Sequence, residues 1–116
     1  MTYEVKFDWP NSKLNPNSRT HWRTLAPIKR KYRSDCHVLA KQAIGQLKTA
    51  EKICVLIEFY PPNNHRRDVD NCMAMMKSAL DGLADALQVN DRQFVISPVL
   101  MDETGGFVKI KLIVGE

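Results

Sequence analysis

The sequence predicts an α+β domain, strand-helix-strand-helix-strand-strand, with two helices packed on one mixed sheet. Three observations carry this expectation. Period-two alternation marks the opening strand. Apolar residues recurring at spacings of three and four mark two helices. Short β-branched or aromatic runs closed by proline or glycine mark the remaining strands. With 116 residues, 44% hydrophobic and 26% charged, the chain fits a single globular domain over residues 1–116.

Tyr3, Val5, Phe7 and Trp9 alternate with Glu4, Lys6 and Asp8, so one face of the first strand should be buried, and Pro10 ends it. Asn11 to Ala26 is polar, with turn chemistry at Asn15-Pro16-Asn17-Ser18, and reads as a long basic loop. Pro27 suits a first helical turn. The stripe Ile28, Tyr32, Cys36, Leu39, Ala43 and Leu47 then predicts a helix from about Pro27 to Lys48. The run Ile53 to Tyr60 is almost wholly apolar, as expected of a central strand covered on both faces. A second helix, capped by Asp70 or Asn71, should carry Cys72, Met76, Leu80, Leu83 and Leu87 inward and end near Gln88. Phe94–Met101 and Phe107–Val114 read as two strands of a hairpin, joined by Asp102-Glu103-Thr104-Gly105-Gly106. Pro98 places the first of them at an edge or at a bulge.

No apolar run approaches the roughly 20 residues that cross a bilayer, and Met1 to Trp9 has no signal-peptide core. A soluble, cytoplasmic protein without a membrane partner is the expectation. Cys36, Cys54 and Cys72 are odd in number and form no C-x-x-C pair, which argues against a disulfide framework or a zinc site and for buried reduced thiols. His21, His37 and His65 lack ligand spacing. The net charge of +4 is unevenly spread. Lys13, Arg19, Arg23, Lys29, Arg30, Lys31 and Arg33 fall in a stretch without an acid, whereas Asp68, Asp70, Asp81, Asp85 and Asp91 face only Lys77 before Arg92. A basic clamp beside an acidic pocket suits a polyanion handled through a bound metal.

The chemistry concentrates in Arg66-Arg67-Asp68-Val69-Asp70-Asn71. In an extended segment residues two apart point the same way, so the carboxylates of Asp68 and Asp70 would converge while Val69 turns to the core. Two carboxylates offer hard oxygens to Mg2+ or Mn2+ and leave positions open for phosphate and water. A D-x-D pair alone also serves as a turn or a helix cap. Lys77 lies seven residues after Asp70 on the same helical stripe, about 10 Å along the axis, and leans back toward the helix start. It would either reach a phosphate or pair with Asp81. Asp81 and Asp85 read as a solvated helix face, and Trp22 either stacks on an unpaired base or anchors the basic loop to the core.

Arg67-Asp68-Val69-Asp70-Asn71, Lys77, Leu80-Asp81-Gly82-Leu83 and Asn90-Asp91 before an apolar strand resemble the R-D-x-D-N, helix, D-D pattern of RusA-type Holliday junction resolvases. Asn15, Arg19, His21-Trp22 and Arg33 resemble the looser basic pattern of the same family nearer the start. The resemblance implies that Asp68, Asp70 and Asp91 are the essential, metal-holding acids, with Mg2+ as cofactor and Mn2+ as substitute. It implies a homodimer that makes paired symmetric cuts in branched DNA during recombination and repair. Well-known members carry a lysine four residues after the second acid, where this chain has Ala74, so the lysine role falls to Lys77. DNA contacts are expected from Lys13, Asn15, Arg19, Arg23, Lys29, Arg30, Arg66 and Arg67. Two other functions compete. A non-catalytic basic DNA-binding accessory protein would use the acids as caps, and a small-molecule phosphohydrolase would leave the basic segment without a purpose. Magnesium-dependent nicking separates the first from a nuclease, and competition by DNA separates the second.

Overall fold

A computed structural model describes residues 1–115. Three helices pack on one side of a four-stranded mixed sheet, an α+β fold. In chain order the elements are β1 (Thr2–Asp8), α1 (Trp22–Ala43), β2 (Ile53–Tyr60), α2 (Val69–Ala74), α3 (Lys77–Leu87), β3 (Phe94–Leu100) and β4 (Phe107–Val114), and single 3-10 turns occupy Ser12–Leu14, Pro16–Ser18 and Asp91–Gln93. The sheet order is β1-β4-β2-β3, with β2 and β3 parallel and the other pairs antiparallel.

Alternation sets the register. Val5 and Phe7 of β1 stand opposite Ile110 and Val108 of β4, which in turn stand opposite Ile57 and Phe59 of β2. All six are buried and form the floor of the core under α1 and α3. Among the described residues no helix covers the opposite face of β2, contrary to the expectation of burial on both faces. Cys54 is exposed there, and Glu58 is shielded by its own neighbours, accepting from Tyr60 Oη (3.1 Å) and Lys111 Nζ (3.4 Å). The apolar run of β2 therefore reflects its central place in the sheet more than two-sided burial.

The expected β3–β4 hairpin does not form. β2 lies between the two strands, and the Met101–Gly106 connection wraps over its end. Met101 N–H donates to the Phe59 carbonyl (2.9 Å), Gly105 N–H to Pro61 (2.8 Å) and Gly106 N–H to Tyr60 (2.8 Å). A tight turn would join neighbours about 4.8 Å apart, whereas this loop spans two such spacings. Gly106, at φ +83°, supplies the left-handed residue the crossing needs. Pro98 does lie on an edge strand, where a residue without an N–H is tolerated.

Both helix boundaries shift. α1 begins at Trp22, five residues before Pro27, because the His21 side chain accepts from the Arg23 N–H (3.1 Å) and caps the helix there. Proline one turn further in removes one donor without ending the helix. α1 stops at Ala43 rather than Lys48. Gly45 at φ +85° turns the chain, and the Leu47 and Lys48 N–H groups donate to the Leu87 carbonyl instead. The expected second helix is two helices, α2 and α3, separated at Met75–Met76.

α1 and α3 meet at Gly82, where an added Cβ would sit 2.3 Å from the Arg33 carbonyl oxygen and 3.1 Å from the His37 nitrogen. Only a glycine permits this approach. Arg33 Nε then reaches Asp85 Oδ2 at 2.8 Å across the seam. Among the described residues, no helix is long and apolar enough to cross a membrane.

Candidate functional site

The acids of the D-x-D pair do not share an extended strand. Asp68 is extended (φ −112°, ψ 128°) and caps α2, its Oδ1 accepting the Asp70 N–H at 2.9 Å, while Asp70 already lies in the first helical turn. The cap is thus Asp68, not Asp70 or Asn71. A carboxylate here also faces the positive end of the helix. Asp68 and Asp70 are both exposed, and neither joins an ion pair among the described residues.

The loop before Asp68 is organised by Arg67. Its guanidinium donates to the Asn63 carbonyl (3.0 Å), the His65 carbonyl (3.0 Å) and Asn63 Oδ1 (2.8 Å), and lies 5.5 Å from the centre of the Trp9 ring. These bonds commit Arg67 to the loop. Arg66 is exposed and lines, with Asn15, Asn17, Asp68 and the Pro98–Leu100 edge, a cavity of about 940 Å³.

Beyond α2 the backbone tightens. Met75 N–H donates to Cys72 and Met76 N–H to Met73, three-residue bonds that end the α-helical ladder. Both methionines are buried, and Tyr32 Oη lies 3.7 Å from the Met76 sulfur, so packing holds the break. Lys77 is therefore the first residue of α3, not a point seven residues along Asp70's helix. It is exposed, and neither an ion pair with Asp81 nor any other is made by it among the described residues. Lys77 lines two cavities. In one, of about 390 Å³, it meets Asn15, Arg19 and Lys29 of the basic segment together with Asp81. In the other, of about 330 Å³, it meets Asp81, Asp91, Phe94 and Ile96.

Asp91 opens the 3-10 turn after α3. Asn90 Oδ1 accepts the Arg92 N–H (2.9 Å), Gln93 Oε1 accepts the Asn90 N–H (2.9 Å), and Gln93 Nε2 donates to the carbonyls of Thr49 (2.7 Å) and Glu51 (2.8 Å). This capping box ties Asp91 to the approach of β2 and leaves its own carboxylate exposed. Among the described residues, no three His, Cys, Asp or Glu side chains gather closely enough to hold a metal ion. Asp68 faces the cavity with Arg66, and Asp91 faces the one with Lys77.

No family model matches the chain. An uncharacterized protein of Xylella fastidiosa (strain Temecula1) is 37% identical over 98 residues, covering 82% of this chain and 64% of its own length, so the chain spans less than two thirds of that relative. The crossover junction endodeoxyribonucleases RusA of Shigella sonnei (strain Ss046) and Escherichia coli (strain K12) are each 30% identical over 105 residues, covering 84% of this chain and 85% of theirs. The chain belongs to the RusA family.

In this RusA-family chain the cations expected to contact DNA divide by environment. Arg19, at φ 54°, and Lys29 line the cavity with Lys77; Lys13 and Arg30 are exposed; Arg23 lies over the Trp22 ring. Arg33, part of the looser basic pattern but not an expected DNA contact, is held by Asp85. Asn15 caps the 3-10 turn at Pro16 and lines both cavities beside the α2–α3 break. Asp81, read from sequence as a solvated face, lines the same cavity as Lys77 and Asp91. Helical periodicity places it outside the core stripe but is silent about which outer residues border a groove. The buried thiols are chemically quiet. Burial pushes Cys36 up to about 12 and raises Cys72, so neither is a thiolate nucleophile at neutral pH. The third thiol, Cys54, is exposed, contrary to the expectation that all are buried.

Proposed function

We propose that this chain is a structure-selective DNA endonuclease that resolves four-way junctions by paired, symmetric phosphodiester hydrolysis, using Mg2+ or Mn2+. One observation carries the reading furthest. Arg19 and Lys29 of the acid-free basic segment line one cavity with Lys77 and Asp81 at the α2–α3 break, which lies between Asp68 and Asp91 in the chain. Cations along that groove would position phosphates without reading sequence, so selectivity would come from DNA shape.

The exposed carboxylates of Asp68, Asp70 and Asp91, which join no ion pair among the described residues, have the oxygen chemistry a hard divalent cation takes. A shared ion would need Asp91 and the Asp68–Asp70 pair brought closer than this single chain holds them. The homodimer belongs to the same proposal. Among the described residues the outer edge of β3 has no neighbouring strand, and Val95, Ile96 and Val99 are exposed on that strand, a surface that ordinarily calls for cover.

A second reading, a basic DNA-binding accessory protein without catalysis, is favoured by the helix-capping bond of Asp68, since that bond alone justifies an acid there. A synthetic four-way junction, with and without Mg2+, distinguishes them. The wild type should nick opposing strands only with the metal. Asp68→Asn keeps a capping oxygen and removes the charge, and both it and Asp70→Asn should lower cutting at least roughly 10³-fold while junction binding stays equal or tightens. Tight binding with no Mg2+-dependent or Mn2+-dependent nicking by the wild type would establish the accessory role.

A further inference from the structure

We propose that Trp22 is a stacking platform for an unpaired nucleobase of the bound nucleic acid, a role that rests on the DNA-processing reading above. The indole is 67% exposed and is not among the side chains packed on the core, so it does not anchor the basic segment. It is nonetheless held in place. The His21 ring stacks beside it at 5.7 Å between centres and 29° between planes, and His21 is itself fixed by capping α1. The Arg23 guanidinium lies 5.4 Å from the indole centre.

The surroundings select the ligand. From Asn11 to Ser34 the chain has no acid, and every other large exposed apolar side chain lies outside that stretch, at Met1, Val38, Val95, Ile96, Val99 and Ile113. Among the described residues Trp22 is thus the one large exposed apolar side chain in a field of cations. An apolar protein partner needs a contiguous apolar patch, which this ring does not join. A nucleobase needs one π-face, with cations beside it for the flanking phosphates, and any base satisfies that requirement. A paired base within a duplex keeps its faces stacked on its neighbours, so the platform would distinguish branched or unpaired DNA from duplex.

The chain has two tryptophans, Trp9 and Trp22, so Trp9→Phe leaves Trp22 as the single indole reporter. Single-stranded oligothymidylate should quench its fluorescence and a duplex of equal length should not. Against a four-way junction with unpaired thymines at its centre, Trp22→Ala should bind roughly 5- to 100-fold more weakly than wild type, with duplex affinity within twofold and with Trp22→Phe retaining most of the affinity. Absence of quenching, or equal losses on junction and duplex, would overturn the platform. Quenching by oligothymidylate in a protein that never cuts junctions would sink the nuclease reading and leave the platform standing. Junction cutting with unchanged Trp22→Ala binding would do the reverse.

Discussion

The α1–α3 seam and the α2 rim lie on the same side of one sheet and differ in almost every respect. Along the seam Ala79, Gly82, Leu83, Ala86 and Leu87 are buried, and the backbones approach closely enough to exclude a Cβ at Gly82. On the rim, Asp68, Asp70 and Lys77 are exposed, and the local structure rests on one capping carboxylate and an arginine-laced loop. Stability comes from apolar contact that tolerates no added volume, while the groups suited to chemistry sit where replacement leaves the core intact.

The largest expected effect comes from Gly82→Ala in the seam. The added methyl meets backbone rather than a flexible side chain, so α1 and α3 must separate, and denaturant unfolding should show a loss of about 3 kcal/mol. An unchanged midpoint would mean the seam is loose. Lys77→Ala probes the rim. Because Lys77 makes no ion pair among the described residues, its removal should leave the denaturation midpoint in place while single-turnover junction cutting falls roughly 10²-fold. Cutting within a few-fold of wild type would strike Lys77 from the site.

The smallest effect belongs to alkaline pH and should come from the buried face of α1 rather than from the rim. Burial raises the Cys36 thiol from its ordinary value near 9 to about 12. A raised value in the folded state means the stabilisation is full below about pH 9 and is lost as pH climbs toward 12, because the unfolded chain releases its proton first. Stability should therefore fall by about 1 kcal/mol between pH 8 and pH 10, with Cys36→Ala flattening the fall. A Cys36→Ala profile as steep as wild type would place the titrating group elsewhere.

The α+β class, the position of every strand to within a residue or two and most of the core stripe were legible in the sequence, because two-residue and three-to-four-residue periodicities are local records of which side is buried. Of the two placements open to Pro98, an edge or a bulge, the strand order selects the edge. The sequence also carried a spaced pattern that resembles the RusA type, and the chain is 30% identical to RusA relatives over 105 residues. Other features arise from contacts between elements distant in sequence. Met75 and Met76 are good helix formers, so nothing local announces the break that separates Lys77 from Asp70's helix; burial of both side chains imposes it. The turn residues between β3 and β4 are hairpin-like, yet β2 lies between those strands and takes hydrogen bonds from their connection. Asp81 enters the groove for the same kind of reason. Periodicity fixes the face of a helix a residue occupies, and only the packing of other elements determines what that face meets.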